Sequence, residues 1–230
     1  MAAKRSGREI DFASDGERVR GYFAVPASGR GRGVLVIQEW WGLVDHIRDT
    51  CDRFAREGFV ALAPDLYRGE TASDPDGAGR LMMGLEIPRA ARDLDGAVQA
   101  LFDQPAVDGS KVGAIGFCMG GQLALFAATR NPRIGAVVDF YGVHPNVKLD
   151  LAGLRAPVLG IFAERDAFVT PAVAHKLAAD LQAAGKSMHC EIYPRVDHAF
   201  MNDSRPDVYD AVAAARAWSQ ALAFLRAELG

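Results

Sequence analysis

The strongest chemical signal in the 230-residue chain lies in six residues, Gly116-Phe117-Cys118-Met119-Gly120-Gly121. The apolar run before them predicts a strand over 111–115, and the residues after the thiol predict a helix over 119–128. A nucleophile carried on such a strand-to-helix turn is a nucleophile elbow, here with cysteine where serine is usual. The turn is so sharp that the strand and helix backbones nearly touch two residues to either side of the nucleophile. Only glycine fits there without a Cβ clash, and Gly116 and Gly120 meet that demand. The helix N-terminus beneath the thiol favours a thiolate and offers N–H groups to a developing oxyanion. The competing reading of Cys118 is a buried structural thiol in a Gly-rich turn; strand, motif and helix in this order favour the nucleophile.

An elbow nucleophile needs an acid and a base further along the chain, in that order, each on a loop after a strand. Asp166 lies three residues beyond the apolar strand predicted over 157–163, with Glu164 as a rival carboxylate, and the apolar residues after Asp166 favour it over Glu164. His198 lies between the last predicted strand and the last helix. The other histidines, His46, His144, His175 and His189, fall in predicted helices, in a strand or on a loop after Gly142. Glu39 stands beside Trp40 and Trp41 at the carboxyl end of an early strand, where partial desolvation would let it accept the thiol proton or yield to substrate. The backbone N–H groups of Trp40 and Met119 are then the expected oxyanion hole. Trp40, Trp41, Tyr67, Phe117, Tyr141 and Phe200 are candidates for an apolar substrate wall, although any one of them is more often ordinary packing.

These residues need a frame that presents strand ends along one edge, and the chain supplies it. Two extended stretches, 9–12 and 19–25, are broken by Ser14-Asp15-Gly16 as in a hairpin. Short apolar runs then alternate with helical patterns, which predicts an α/β chain with a mostly parallel sheet flanked by helices on both faces. Strands are expected at 34–37, 59–62, 111–115, 134–140, 157–163 and 188–193. Helices are expected at 44–57, 88–102, 119–128, 171–184 and 208–229. Residues 69–84 are rich in Gly, Asp and Pro and are expected to form a loop. No repeat or composition break marks a second domain, so one domain over 1–230 is expected.

Composition narrows the function classes. Half the residues are hydrophobic and the formal net charge is only -3, with no Lys/Arg cluster, so neither nucleic acid nor an anionic membrane surface is an expected partner. No apolar run reaches the length that spans a bilayer, and no signal-peptide pattern follows Met1, so a cytoplasmic protein is expected. Three well-separated cysteines fit a reducing compartment, and Cys51 and Cys190 read as small core residues. Asp45, His46 and Asp49 lack a further ligand at metal spacing, and Gly29, Gly31 and Gly33 precede a strand and form no phosphate cradle. Neither a metal nor a cofactor is expected, and the expected partner is a small-molecule substrate; the sequence does not give the oligomeric state, for which a monomer is the expectation.

Taken together, the Gly-Phe-Cys-Met-Gly-Gly run around Cys118, Gln38-Glu39-Trp40-Trp41-Gly42, Pro64-Asp65-Leu66-Tyr67, Asp166 and His198 resemble the dienelactone hydrolase family, from about Val34 to the chain end. The resemblance implies an α/β-hydrolase fold and a carboxymethylenebutenolidase-like hydrolase of small esters or lactones. It also implies a Cys118-His198-Asp166 triad working through a thioester, with Glu39 touching the resting thiol. Family members that act on dienelactone hold the substrate carboxylate with two arginines. Here Asn202 stands four residues past His198, Arg205 three further on, and Arg80 lies in the excursion before the elbow. An Asn cannot reproduce the bidentate fork of Arg, so the reaction class carries over better than the substrate. A catalytically silent binding protein and a thiol-dependent acyl transferase are the alternatives.

Overall fold

The computed structural model describes residues 6–230. Eight strands form one sheet in the order β1-β2-β4-β3-β5-β6-β7-β8. The chain divides into two compact units, 1–113 and 114–230, and β5 (Val107–Phe117) passes from one to the other.

In the first unit, β1 (Arg8–Ser14) and β2 (Glu17–Ala24) pair antiparallel with Ser14 opposite Glu17, leaving a two-residue turn. Asp15 and Gly16 both have positive φ, 47° and 83°, the conformation that matches the twist of a hairpin. β2 runs antiparallel to β4 (Val60–Pro64), and β3 (Gly31–Ile37) runs parallel to β4. Every residue of β4 is buried, because α1 (Asp45–Arg56) and α3 (Ile87–Phe102) both pack on it. The spacing of Ile47, Cys51, Phe54 and Ala55 puts all four on the buried stripe of α1, and Gly58 follows at φ 90°.

The expected loop at 69–84 contains a helix, α2 (Pro75–Gly84). Asp74 caps it by accepting from the Gly77 N–H at 2.9 Å, and Pro75 occupies its first turn. Three glycines and weak periodicity hide this helix in the sequence. β5 also begins four residues before the expected strand, and the last helix, α6 (Ala211–Leu229), starts three residues late because Asp210 caps it through the Val212 and Ala213 N–H groups.

In the second unit, β6 (Ile134–Phe140), β7 (Val158–Ala163) and β8 (Met188–Tyr193) run parallel in register. The first two are buried throughout, which requires cover on both faces. α4 (Met119–Arg130) and α6 pack on β6, and α5 (Pro171–Ala183) on β7 and β8. No helix among the described residues is long and apolar enough to cross a membrane.

Candidate active site

Cys118 sits between β5 and α4 with φ 53° and ψ -126°, a conformation that costs a non-glycine residue about 1–3 kcal/mol and persists only when its surroundings fix it. The fixing bonds are visible. The Cys118 N–H donates to the Phe140 carbonyl at 3.0 Å, and the Cys118 carbonyl accepts from the Gly121 N–H at 2.9 Å and the Val143 N–H at 3.2 Å. A Cβ at position 116 would land on the Gly120 carbonyl, so the strand meets the helix only because residue 116 is glycine. Gly121 and Gly142 serve a second close approach. A Cβ at either would fall on Oδ1 of Asp139, a fully buried carboxyl that burial pushes up to about 7 against a hydrogen bond from the Gly142 N–H.

His198 and Asp166 meet on the loops after β8 and β7. His198 Nδ1 lies 2.7 Å from Asp166 Oδ2, and the carboxyl side chain is completely inaccessible. The other oxygen, Oδ1, accepts from the Phe168 N–H at 2.7 Å and the Val169 N–H at 2.8 Å, so the carboxylate is held on both sides. The rival Glu164 is exposed, and its Oε2 accepts from the Arg195 N–H at 2.7 Å. With Glu164 N–H to the Tyr193 carbonyl at 2.9 Å and Arg165 N–H to the Val196 carbonyl at 3.0 Å, it braces the loop of Asp166 against that of His198.

The imidazole is also hydrogen-bonded to Cys118. Burial alone would lower its pKa, but hydrogen bonds to Asp166 and Cys118, together with their charges, outweigh burial and raise it to about 10. Both partners thus favour the protonated form of the imidazole. Its ring neighbours Tyr141, 4.9 Å away, and Phe168, 5.2 Å away and edge-on. Burial first, and neighbouring carboxylates second, push the thiols of Cys51 and Cys190 upward.

The residues expected to line a substrate wall fall in different places. Tyr141 and Phe200 are fully buried, with rings 5.7 Å apart, and Phe200 stacks on Tyr193 at 5.3 Å. Tyr141 backs His198, and neither ring presents open surface. Asn202 is also buried, and its Oδ1 accepts from the Ser204 N–H and hydroxyl in a local turn. Arg205 forms an ion pair with Asp207, its Nη2 2.6 Å from Oδ2, and Arg80 is exposed on α2. In the first unit, Gln38 accepts from the Leu66 N–H at 3.1 Å, and Trp41 accepts through its carbonyl from the Ala72 N–H at 3.0 Å. The loop after β3 is thus tied to the loop after β4, which carries Tyr67. Glu39 is buried beside Trp40 and Trp41, whose rings meet edge-on at 5.1 Å, and Met119 is buried at the start of α4. Sequence reasoning missed the brace by Glu164 and the position of Phe168, since both depend on contacts between loops far apart in the chain.

A strand, a strained cysteine turn and a helix, followed by an acid after β7 and a histidine after β8, define an α/β-hydrolase fold. The Dienelactone hydrolase family model matches residues 19–229. "Protein usf" of Aquifex pyrophilus is 39% identical over 227 residues, covering 96% of this chain and 98% of that protein. A relative from Aquifex aeolicus with carboxymethylenebutenolidase in its name is 36% identical, covering 97% and 99%. A solved structure described as a dienelactone hydrolase-like promiscuous phosphotriesterase from metagenomic libraries superposes with a TM-score of 0.88 at 28% identity, covering 97% of this chain and 98% of that one. The chain belongs to the dienelactone hydrolase family and is a carboxylic ester or lactone hydrolase.

Proposed function

We propose that the protein hydrolyses small esters or lactones through a Cys118-His198-Asp166 triad and a thioester intermediate. The observation that carries this reading is the imidazole of His198, hydrogen-bonded to Asp166 through Nδ1 and also to Cys118, whose backbone is held in a strained elbow at the start of α4. The Cys118 thiolate attacks the carbonyl carbon. As the tetrahedral intermediate collapses, the C–O bond breaks and the leaving alkoxide takes the proton from His198.

Acylation changes the histidine. The sulfur, now a thioester, no longer holds the imidazolium by charge, so two of the four influences that raise the His198 pKa disappear. The neutral imidazole that results can take a proton from water. Hydroxide equivalent adds to the thioester, the C–S bond breaks, and the thiolate and imidazolium are restored. In this reading Glu39 contacts the resting thiol, and the backbone N–H groups of Trp40 and Met119 hold the oxyanion, as the family resemblance implies. All three cysteines of the chain are free thiols, as a cysteine nucleophile needs.

The test is covalent trapping. Acid quench of wild-type enzyme during turnover of p-nitrophenyl butyrate should leave a butyryl group on the Cys118 peptide, removable by hydroxylamine. Cys118→Ala should lower kcat by at least about a thousandfold. A variant retaining more than about a tenth of wild-type kcat overturns the assignment.

A further inference from the structure

Among the described phenylalanines, Phe168 alone is exposed, at 64%. It is not a loose surface residue. Its own N–H is held by Asp166 Oδ1, the next N–H is held by the same oxygen, and Thr170 then starts α5, so the backbone on either side is fixed. The ring rests edge-on against the imidazole of His198, 5.2 Å between centroids, while the ring of the fully buried Tyr141 lies 4.9 Å from the same imidazole. One aromatic neighbour of His198 is therefore sealed in the core, while the other leaves most of its surface open to solvent.

A single exposed aromatic is common on a protein surface, but this one is held by its backbone beside the imidazole that would donate the proton. A leaving group must come within hydrogen-bond reach of the imidazole to take its proton. Phe168 offers such a group an open apolar face beside the imidazole. Resting on the triad reading, we propose that Phe168 is a specificity-determining residue whose exposed ring receives the leaving group and selects esters of aryl and other flat apolar alcohols over those of small alcohols.

Two substrates that share an acyl group isolate this role, because they form the same thioester and differ only in what leaves. For phenyl propanoate and methyl propanoate, kcat/KM reports steps up to leaving-group departure. Phe168→Ala keeps the backbone N–H on Asp166 and should lower kcat/KM for the phenyl ester roughly tenfold, with less than a twofold loss for the methyl ester. Phe168→Tyr should restore the ratio, and Phe168→Leu should fall between, which guards against a folding defect in the alanine variant. An equal loss for both esters, accompanied by a moved His198 titration, would make the ring a mere support for the imidazole and overturn the proposal. An unchanged ratio in the alanine variant overturns it as well. Cys118→Ala assayed in parallel decides the underlying reading separately: turnover that survives there defeats the nucleophile, whereas loss of turnover with an unchanged ester ratio defeats only the role of Phe168.

Discussion

Removing either partner of His198 should move its titration by an amount that can be worked out in advance. An ordinary imidazole titrates near 6.5 and His198 at about 10, a difference worth about 5 kcal/mol in favour of the proton. Burial works against that preference, so the attraction of Asp166 and Cys118 together exceeds the net value. Cys118→Ala removes one hydrogen bond and one charge, and Asp166→Asn removes the other charge. Each should lower the midpoint by at least 1–2 pH units, and the double variant should titrate below about 6.5 because only burial remains. The assay is a nitrogen-15 NMR titration of the imidazoles from pH 5 to 11, with His198→Gln identifying the resonance among the five histidines. The sign for stability follows from the raised value. The contribution of His198 is fully present below about pH 6.5 and is lost as pH rises through about 10, so His198→Gln should flatten the fall in wild-type stability across that window. A midpoint in Cys118→Ala within about 0.3 of wild type would show that the sulfur does not hold the proton, and the reasoning would fail.

Three further outcomes are expected. Asp139, buried and titrating at about 7, is stable as the neutral acid below about pH 4 and costs about 4 kcal/mol once ionised. Asp139→Asn should therefore gain several kcal/mol relative to wild type between pH 4 and pH 8 in urea melts, and a pH-independent difference would contradict the buried carboxyl. Gly116→Ala should abolish turnover and lower Tm, since the added methyl lands on the Gly120 carbonyl; an active, stable variant would show that the elbow can open. With Arg205 paired to Asp207 and Asn202 turned into its own loop, an unsaturated lactone should be hydrolysed as its methyl ester at least as fast as its free acid. A salt-sensitive preference for the acid above tenfold would instead point to an arginine reaching the substrate.

The parts of the molecule that were legible in the sequence are those where local chemistry decides. The elbow is one, since the glycine at 116 is demanded by a backbone contact within five residues. The hairpin is another, because Asp15-Gly16 can take the two positive φ values that a two-residue turn needs. β6 was readable to the residue from its apolar run, and β8 from its place between two helices. α2 was hidden because Gly77, Gly79 and Gly84 depress helical propensity and only the Asp74-Pro75 pair announces its start. Side-chain destinations were less readable than elements. Tyr141 and Phe200 look like pocket aromatics from their positions near Gly142 and His198, yet both are fully buried, Tyr141 against Phe140 of β6 and Phe200 stacked on Tyr193 of β8. Glu164 and Asp166 are two carboxylates on one loop, and their separation into brace and histidine partner is decided by the opposite loop, about thirty residues away in sequence.

On the proposed triad, the torsion at Cys118 sets stability against activity at a single position. The strain belongs to the main chain, so it is present whatever side chain stands there and is relieved only by glycine, for which φ 53° and ψ -126° is ordinary. Cys118→Gly should therefore lose little stability or gain some, despite deleting a buried side chain, and it would be inert. Directed evolution for heat resistance alone would drift toward that substitution, and the nucleophile would survive only under a selection that also demands turnover.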